Sequence, residues 1–285
     1  MIRKISYLEW EKISKNTKLD TKSISLRKKV LDIVNISRRG HVGSAFSSME
    51  IVRVLFDNFL RFNPKNPNWE GRDRFIFSKG HGCLSLYINL AEKGFITHKQ
   101  LETFCRSGSS FGGHPQFGKI PAVEASTGSL GHGLSISIGM AIAAKIRHEK
   151  WKTAILISDG ECNEGSTWEA LLSAGKHKLN NLLILVDYNK MQSYGKTYEV
   201  LNLEPFKHKW ESFGFKVYEV NGHHVSRLKS VIGKNWKNIA KPTVIICHTI
   251  KGKGVPFIEQ NPSWHHKNMI TDEEMERLYR ELGGE

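Results

Sequence analysis

The chain has 285 residues, of which 39% are hydrophobic, and its formal net charge is +14 at pH 7. This length allows one large α/β domain or at most two small ones, while four scattered cysteines without a CxxC pair argue against a disulfide framework or a zinc site. Lys and Arg are spread along the chain, the first twenty residues lack the apolar core of a signal peptide, and no stretch reaches transmembrane length, so we expect a cytoplasmic protein that binds neither nucleic acid nor membrane.

Apolar runs alternate with helical patterns along the chain. In chain order, we predict helices at 23–37 and 47–60, a strand at 74–77, a helix at 133–148, a strand at 153–158, a helix at 166–177, and strands at 181–187, 215–220 and 243–250. The second helix is expected to begin with a capping box between Ser47 and Glu50. Nearly continuous apolar strands that alternate with helices predict an α/β fold, a parallel β-sheet covered by helices on both faces.

The chain contains no internal repeat and no linker rich in Pro, Gly or Ser. We therefore predict a single domain over residues 1–285. The helix at 133–148 is mostly apolar, so we expect it to be buried. Residues 251–270 are predicted to form a long loop, and loops of this length inside compact domains are often functional.

An acid and an amide follow two of the predicted strands. Asp159 comes directly after strand 153–158, and Asn189 follows strand 181–187. If the strands are neighbours, both side chains meet at the carboxyl edge of the sheet, where such folds bind ligands. Two side-chain oxygens and a backbone carbonyl form the sparse oxygen site that Mg²⁺ uses when phosphate completes its shell. Either residue alone would be an ordinary turn residue, but the pair predicts a Mg²⁺-diphosphate anchor.

The segments around this pair resemble a known family. DGECNEG at 159–165 with VDYNKMQ at 186–192 looks like the thiamine-diphosphate motif, although Ser158 stands where the family usually has Gly. Further segments resemble transketolase in the same order: RGHVGSAFSSME (39–50), DRFIFSKGHG (73–82), GGHPQ (112–116), STGSLGHGLSISIGMAIA (126–143), KPTVIICHTIKGKG (241–254) and WHH (264–266). The chain is most similar to the stand-alone N-terminal, thiamine-diphosphate-binding subunits of split transketolases, which implies the fold of that domain.

The resemblance implies a cofactor and a set of residues that bind it. The cofactors are thiamine diphosphate and Mg²⁺ or another divalent cation, and the metal would be held by Asp159, Asn189 and the carbonyl of Met191. Contacts with thiamine diphosphate are implied for Ser44, His81, Gly128, Ser129, Leu130, Gly160, Asn189, Lys251 and His265. Residues 128–130 match the segment that lies against the aminopyrimidine ring, largely through backbone.

Four histidines match positions that bind substrate or transfer protons in the family. These catalytic candidates are His41, His81, His114 and His265. The family usually has His-Gly where this chain has His265 and His266, and we align His265 with the family histidine. Histidine suits this role because its pKa near neutrality lets it accept and return protons from sugar hydroxyls.

Three charged residues receive supporting roles. Asp73 and Arg74 are interpreted either as fixing the loop before His81 or as part of a surface ion pair at the start of the strand. Glu164 matches a family acid at the interface between subunits, although an acid in the first turn of a helix also compensates the helix dipole.

The resemblance also implies the reaction and a partner. The expected function is transfer of a two-carbon ketol unit from a ketose phosphate to an aldose acceptor. In the family, the glutamate that activates the pyrimidine comes from the next domain, for which this chain has no room. We therefore predict that a separate C-terminal subunit supplies this glutamate, and that the chain self-associates into a dimer or a heterotetramer.

Two other functions remain open from the sequence. One is a related thiamine-diphosphate subunit that makes a deoxy-ketose phosphate or serves an unusual sugar such as apulose phosphate. A 2-oxoacid dehydrogenase subunit is not expected to carry the histidines of GHVGS and GGHP. The other is a non-catalytic cofactor- or RNA-binding protein that kept the fold, which the retained histidines disfavour.

Overall fold

The computed structural model describes residues 5–237, 240–265, 267 and 269–283. Its centre is a five-stranded parallel sheet with the strand order β1-β2-β3-β7-β6. The strands are β1 (Arg74–Phe77), β2 (Thr153–Ser158), β3 (Leu182–Tyr188), β6 (Lys216–Asn221) and β7 (Thr243–His248). A short antiparallel hairpin, β4 (Met191–Gln192) and β5 (Gly195–Lys196), follows β3. The prediction of a parallel sheet is confirmed.

Eleven α-helices are found in the described part of the chain. They are α1 (Tyr7–Lys15), α2 (Thr21–Ser37), α3 (Val42–Asn58), α4 (Cys83–Glu92), α5 (His98–Leu101), α6 (His132–Ile146), α7 (Gly165–Lys176), α8 (Thr197–Val200), α9 (Phe206–Ser212), α10 (Val225–Lys237) and α11 (Asp272–Glu281). Short 3₁₀ helices span Gly80–Gly82, Gly160–Asn163 and Pro262–Trp264. None of the helices within these ranges combines the length and the apolar character that a membrane span requires.

The central strands are buried on both faces, which explains their nearly continuous apolar sequences. Successive residues of β2 and β3 point to opposite sides of the sheet. Leu156 and Leu185 join the hydrophobic core on the side of α2, α3 and α4, whereas Ile157 and Val186 join the core on the side of α6 and α7. No face of these strands has to be polar, so the sequence shows runs rather than alternation.

Strand bounds were predicted well, but the start of α3 was not. The predicted bounds of β1 and β2 coincide with the observed ones, and β3 begins and ends one residue later than predicted. Helix α3 begins at Val42, so the predicted capping box of Ser47 and Glu50 is wrong. Both residues lie inside the helix, where Ser47 Oγ donates to Asp187 and Glu50 pairs with Arg27. Their polar groups have tertiary partners rather than a capping role.

Helix α6 is buried on only one face, contrary to the expectation for so apolar a helix. Leu134 and Ile138 are fully or almost fully buried. Ile136 is 38% exposed, Ile146 is 73% exposed, and Leu172 on neighbouring α7 is 63% exposed. An apolar helix face left open to solvent by its own chain is typical of a surface that another chain covers.

Candidate active site

Asp159 and Asn189 lie side by side at the carboxyl edge of the sheet, as the sequence predicted for neighbouring strands. Strand β2 pairs with β3 in the register that places Ser158 opposite Asp187. The Asp159 carboxylate accepts hydrogen bonds from the Lys190 amide at 2.6 Å and the Gly160 amide at 2.8 Å. Asn189 Oδ1 accepts from the Met191 amide at 3.0 Å. Both side chains are buried, so their oxygens are held in one arrangement.

The charge on Asp159 is costly in the absence of a cation. Burial and the neighbouring carboxylate of Asp187 raise the pKa of Asp159 to about 6. A divalent cation against this carboxylate would offset both effects. The described residues contain no cluster of three His, Cys, Asp or Glu side chains suited to a metal. The oxygens brought together here belong to a carboxylate and an amide, two of the three ligands predicted for a cation that phosphate oxygens also bind.

A buried ion pair lies directly beneath this edge. Lys79 Nζ pairs with Asp187, and both side chains are fully buried. Asp187 also accepts hydrogen bonds from Ser47 Oγ at 2.6 Å and from Thr249 Oγ1. Burial opposes ionisation, but Lys79 and these hydroxyls hold the pKa of Asp187 below its ordinary value. Sequence reasoning missed this pair, although a lysine and an aspartate beside apolar strands signal a buried charge that needs a partner.

Lys251 brings a second amino group towards the same edge. Its Nζ lies 2.5 Å from His265 Nδ1. Burial and the nearby Lys79 lower the pKa of Lys251 to about 7, against the opposing effects of Asp159 and Asp187. An anion bound beside Lys251 would favour its protonated form, so this position is suited to a phosphate group.

Three of the four predicted histidines form a row. The ring centroids of His41 and His81 are 5.5 Å apart, and those of His81 and His265 are 6.2 Å apart. Burial, followed by the charges of Lys79 and Lys251, lowers the pKa of His81 well below its ordinary value. This shift favours the neutral form of His81. His266 lies outside the described residues.

The fourth histidine, His114, packs against the segment 128–130. A Cβ placed on Gly128 would lie 2.8 Å from His114 Cδ2, and Gly128 has a φ of +147° that side chains rarely adopt. Burial lowers the pKa of His114. The turn before His81 also lies close to this segment. A Cβ placed on Gly80 would be 2.7 Å from the carbonyl carbon of Thr127. These close approaches bring His114 and the turn that carries His81 to the same segment.

Glu161 connects three of the segments that carry predicted site residues, and the sequence analysis missed it. Its carboxyl group accepts hydrogen bonds from Ser78 Oγ, from the Gly131 amide at 3.0 Å and from the Ser158 amide at 3.4 Å. Burial raises the pKa of Glu161 to about 7. The sequence did contain a signal for Glu161. It is a second acid two residues after Asp159, and because the predicted anchor needs only Asp159, the second acid indicates a separate role.

Two buried polar atoms near this edge support the fit of a diphosphate-metal group. Ser44 Oγ and Gln192 Nε2 are buried and have no hydrogen-bond partner among the described residues. Ser44 is a predicted cofactor-binding residue, whereas Gln192 was not predicted. Gln192 lies next to Gly160, because a Cβ placed on Gly160 would be 3.4 Å from Gln192 Cβ. A hydroxyl and an amide that lack partners, together with the amino group of Lys251, are groups that phosphate oxygens can satisfy.

A cavity of about 520 Å³ opens beside the row of histidines. Its lining includes Arg39, His41, His81, Cys105 and Lys267. No carboxylate lines the described part of this cavity, whereas two cationic side chains do. The cavity therefore favours a ligand that is neutral near the histidines and negatively charged elsewhere.

Two supporting roles from the sequence have different outcomes. Asp73 does not contact the loop before His81, because it pairs with Arg61 and accepts from the Lys152 amide at the amino end of β1. Arg74 stacks over Trp151 at the same end. Glu164 is exposed at the start of α7, so its predicted interface role stays a prediction.

Comparison with known families identifies this arrangement. The family model described as "Transketolase, thiamine diphosphate binding domain" matches residues 20–285. The chain belongs to the transketolase family. The resemblance to the N-terminal subunit of split transketolases is thereby confirmed, and the site described above lies within the thiamine-diphosphate-binding domain of this family.

Several relatives of this transketolase-family chain have similar length. It is 41% identical to one of the subunits of the apulose-4-phosphate transketolase of Actinobacillus succinogenes, over 94% of this chain and 96% of the relative. It is 38% identical to the 6-deoxy-6-sulfo-D-fructose transketolase subunit SqwG of a Clostridium species, over 88% of this chain and 90% of the relative. Relatives with such names are subunits, which supports a second, separate chain.

Solved transketolases confirm the fold and are much longer. The crystal structure of transketolase from Campylobacter jejuni superposes with a TM-score of 0.85 at 30% identity, over 94% of this chain. The chain spans 44% of the length of that transketolase. The thiamine-diphosphate-binding fold of the family is therefore confirmed for this chain.

Proposed function

We propose that this chain is the N-terminal subunit of a thiamine-diphosphate-dependent transketolase that works only with a separate C-terminal subunit. The enzyme transfers a two-carbon ketol unit from a ketose phosphate to an aldose acceptor. The observation that carries the proposal is the meeting of Asp159 and Asn189 at adjoining strand ends, inside a domain of the transketolase family. The non-catalytic and RNA-binding alternatives have no comparable support.

Asp159, Asn189 and the Met191 carbonyl are proposed to hold Mg²⁺ or another divalent cation. Gly160 lets the backbone approach the diphosphate, and Ser44 and Lys251 donate to its oxygens. The segment Gly128, Ser129 and Leu130 supports the pyrimidine ring. The unpartnered hydroxyl of Ser44 and the amino group of Lys251 support these roles. When bound, thiamine diphosphate supplies a nucleophilic carbon and an electron sink for carbon–carbon bond cleavage.

His41, His81, His114 and His265 are proposed to bind the sugar hydroxyls and transfer their protons. His81 and His114 have lowered pKa values, so at neutral pH they can accept a proton that they later return. His41, His81 and His265 are close enough together to contact different hydroxyls of one sugar. The surrounding cavity, which opens beside this row, supports the same assignment.

The proposed assembly pairs this chain with a C-terminal subunit that provides the pyrimidine-activating glutamate. The exposed apolar residues of α6 and α7 support association with another chain, in a dimer or a heterotetramer. One domain over residues 1–285, with 251–270 as an active-site loop, and a cytoplasmic location complete the proposal.

The identity of the sugar has two candidates. The first is the pentose phosphate pair of an ordinary transketolase, xylulose 5-phosphate and ribose 5-phosphate. The second is an unusual sugar, which is favoured by relatives named for apulose 4-phosphate and 6-deoxy-6-sulfo-D-fructose. In every case the sugar carries an anionic group, which agrees with the cationic lining of the cavity.

The test combines the full chain with the product of the neighbouring gene, thiamine diphosphate and Mg²⁺. A panel of donors (xylulose 5-phosphate, apulose 4-phosphate and 6-deoxy-6-sulfo-D-fructose) is offered with aldose acceptors, and ketol transfer is followed by product analysis. We expect turnover by the mixture and none by either protein on its own. Strong turnover by the isolated chain would contradict the requirement for a partner.

Arg39 is expected to contribute to the affinity for anionic sugars. It lines the cavity beside the histidines, whereas Lys267, the other lining cation, is already paired with Glu274 at 2.6 Å. Replacing Arg39 with alanine should raise KM for the phosphorylated substrate about 5- to 10-fold, because one charge-assisted hydrogen bond is lost. The value of kcat should change less than about 2-fold, since the bond is present in both ground and transition states.

Steady-state kinetics of the assembled enzyme measures both values. Arg39→Lys keeps the charge and should recover part of the affinity. Arg38→Ala is the matched control, because its guanidinium is paired with Asp272 at 2.6 Å. An unchanged KM in Arg39→Ala would rule out this role.

A further inference from the structure

A second buried cluster lies behind the site and has no role in the function proposed so far. It consists of Arg27 on α2, Glu50 on α3 and His223 in the turn between β6 and α10, which we call the buried triad. All three side chains have zero exposure. Glu50 Oε1 pairs with Arg27 Nη1 at 2.5 Å, and Glu50 Oε2 lies 3.0 Å from Arg27 Nη2 and 2.8 Å from His223 Nδ1.

The hydrogen bonds of His223 determine its tautomer. The amide of Ile250 donates to His223 Nε2 at 2.9 Å, so Nε2 carries no proton. The ring proton must therefore be on Nδ1, where it is donated to Glu50. His223 is a neutral imidazole with one donor and one acceptor, and neither can be exchanged without loss of a bond. The ring connects the Glu50 carboxylate to the backbone just before Lys251.

Arg27 forms a hydrogen bond with the backbone on the C-terminal side of Lys251. Its Nε donates to the Lys253 carbonyl at 2.8 Å. Its remaining N–H groups donate to Glu50 and to the carbonyls of Ser23 at 3.1 Å and Phe46 at 2.7 Å. All five donors of the guanidinium are thereby used. Such a residue cannot shift towards a new partner without leaving a buried donor unsatisfied.

The backbone around Lys251 is thus held at three points. The Ile250 amide binds His223, the Lys253 carbonyl binds Arg27, and the Gly252 amide donates to the Gly43 carbonyl at 3.0 Å. Lys251 lies between Ile250 and Gly252, two of the residues held in this way, and its amino group is 2.5 Å from His265. The direction in which this buried amino group points is therefore set by the backbone that carries it.

We infer that Arg27, Glu50 and His223 are positioning residues that fix residues 250–253 so that Lys251 is aimed at the diphosphate. The inference rests on the proposed function, in which Lys251 binds that group. The triad does not touch the cofactor site itself; it acts through the Ile250 amide and the Lys253 carbonyl. A displacement of even about 1 Å in a binding group weakens a preorganised site strongly.

A purely structural triad would lower stability without a selective effect on the cofactor, so two substitutions of His223 separate these roles. His223→Gln can place its amide oxygen near the position of Nε2 and keep an acceptor for Ile250. His223→Asn can place its amide nitrogen near the position of Nδ1 and keep the bond to Glu50, but it loses the acceptor for Ile250. Each variant retains one of the two bonds, so their thermal midpoints should be similar.

The readouts are hydrogen exchange of the Ile250 amide in the full chain without cofactor, and the Kd for thiamine diphosphate with Mg²⁺ in the assembled complex. We expect His223→Asn to lose protection at Ile250 and to bind the cofactor about 10- to 100-fold more weakly, as is usual for losing a supporting partner. His223→Gln should stay within about 3-fold of the wild type. If His223→Asn does not fold, Arg27→Lys provides the second variant, because it keeps a charge for Glu50 but loses the bond to Lys253.

Asp73→Asn is the matched control, since it removes a buried carboxylate paired with arginine at the amino end of β1. It should lower the thermal midpoint and leave the Kd unchanged. Equal Kd values for His223→Asn and His223→Gln, although Ile250 has lost its protection in His223→Asn, would overturn the inference alone. A wild-type complex that binds no thiamine diphosphate would overturn the proposed function and this inference with it.

Discussion

Replacement of Asp159 with alanine is expected to weaken binding of thiamine diphosphate in the presence of Mg²⁺ by more than about 100-fold. Loss of a group that only supports a metal ligand typically costs 10- to 100-fold in affinity, so loss of a ligand itself should exceed about 100-fold. The fold should tolerate the change, because burial and Asp187 already disfavour the charged carboxylate and raise its pKa to about 6. Calorimetric titration of the assembled complex measures the affinity, and Asn189→Ala should behave in the same way.

Asp57→Ala is the control for this experiment. Asp57 is also a carboxylate with cationic partners, Lys22 and Lys93, but it lies at the far end of α3 from His41. About 16 residues of helix place it roughly 24 Å from His41. Its removal should leave the cofactor affinity unchanged. If Asp159→Ala and Asn189→Ala both bound the cofactor as the wild type does, the proposed anchor would be wrong.

Replacement of Lys79 with methionine should lower the free energy of unfolding by about 3–5 kcal/mol, because it leaves the buried Asp187 carboxylate without its cation. Both side chains of this pair have zero exposure. The double variant Lys79→Met and Asp187→Asn should be more stable than Lys79→Met alone, since the lone charge is removed. Chemical unfolding midpoints of the cofactor-free chain measure these differences.

A partly exposed pair supplies the comparison. Lys93→Met removes the partner of Asp57 at 2.5 Å, where the side chains are 22% and 19% exposed. It should cost at most about 1 kcal/mol, because water and Lys22 compensate the remaining carboxylate. Equal losses for Lys79→Met and Lys93→Met would show that burial does not determine the cost.

The same pair predicts how stability depends on pH. In the wild type, the pKa of Asp187 lies below its ordinary value of 3.8, so its contribution is complete above that value and is lost as the pH falls through the folded-state pKa. Without Lys79, burial should raise the pKa of Asp187, so the variant loses stability as the pH rises through the raised value. The difference between the two proteins should therefore shrink as the pH is lowered, which unfolding at several pH values can measure.

The meeting of Asp159 and Asn189 at the carboxyl edge of the sheet was predictable because each residue directly follows a strand. Asp159 and Asn189 each follow an apolar run whose ends differ from the observed strands by at most one residue. Neighbouring parallel strands bring their carboxyl ends together, so two local patterns were enough to predict a meeting in space. The resemblance to transketolase then assigned His41, His81 and His265, which the structure brings into one row.

Positions whose partners are distant in sequence were misread. Ser47 and Glu50 have the spacing of a capping box, but they lie inside α3 and bind Asp187 and Arg27. Asp73 was left open between the His81 loop and an ion pair at the start of the strand, and the structure pairs it with Arg61, at the end of β1 away from His81. Sequence spacing reveals only partners that are close along the chain. In the buried core, where the dielectric constant is low, an interaction with a charged group is stronger than a local capping bond, even when that group is distant in sequence.

The sequence by itself determined the parallel sheet, the strand ends that carry Asp159 and Asn189, and the family, because apolar periodicity and short motifs are local properties of a chain. Only the tertiary structure decided that Lys79 neutralises Asp187, 108 positions away, and that Glu50 binds His223, 173 positions away. Such pairs form because a buried charge must find its counterpart within reach of the folded core. Which residues are close enough to pair depends on how the helices pack on the sheet, and this packing cannot be inferred from any single segment of the sequence.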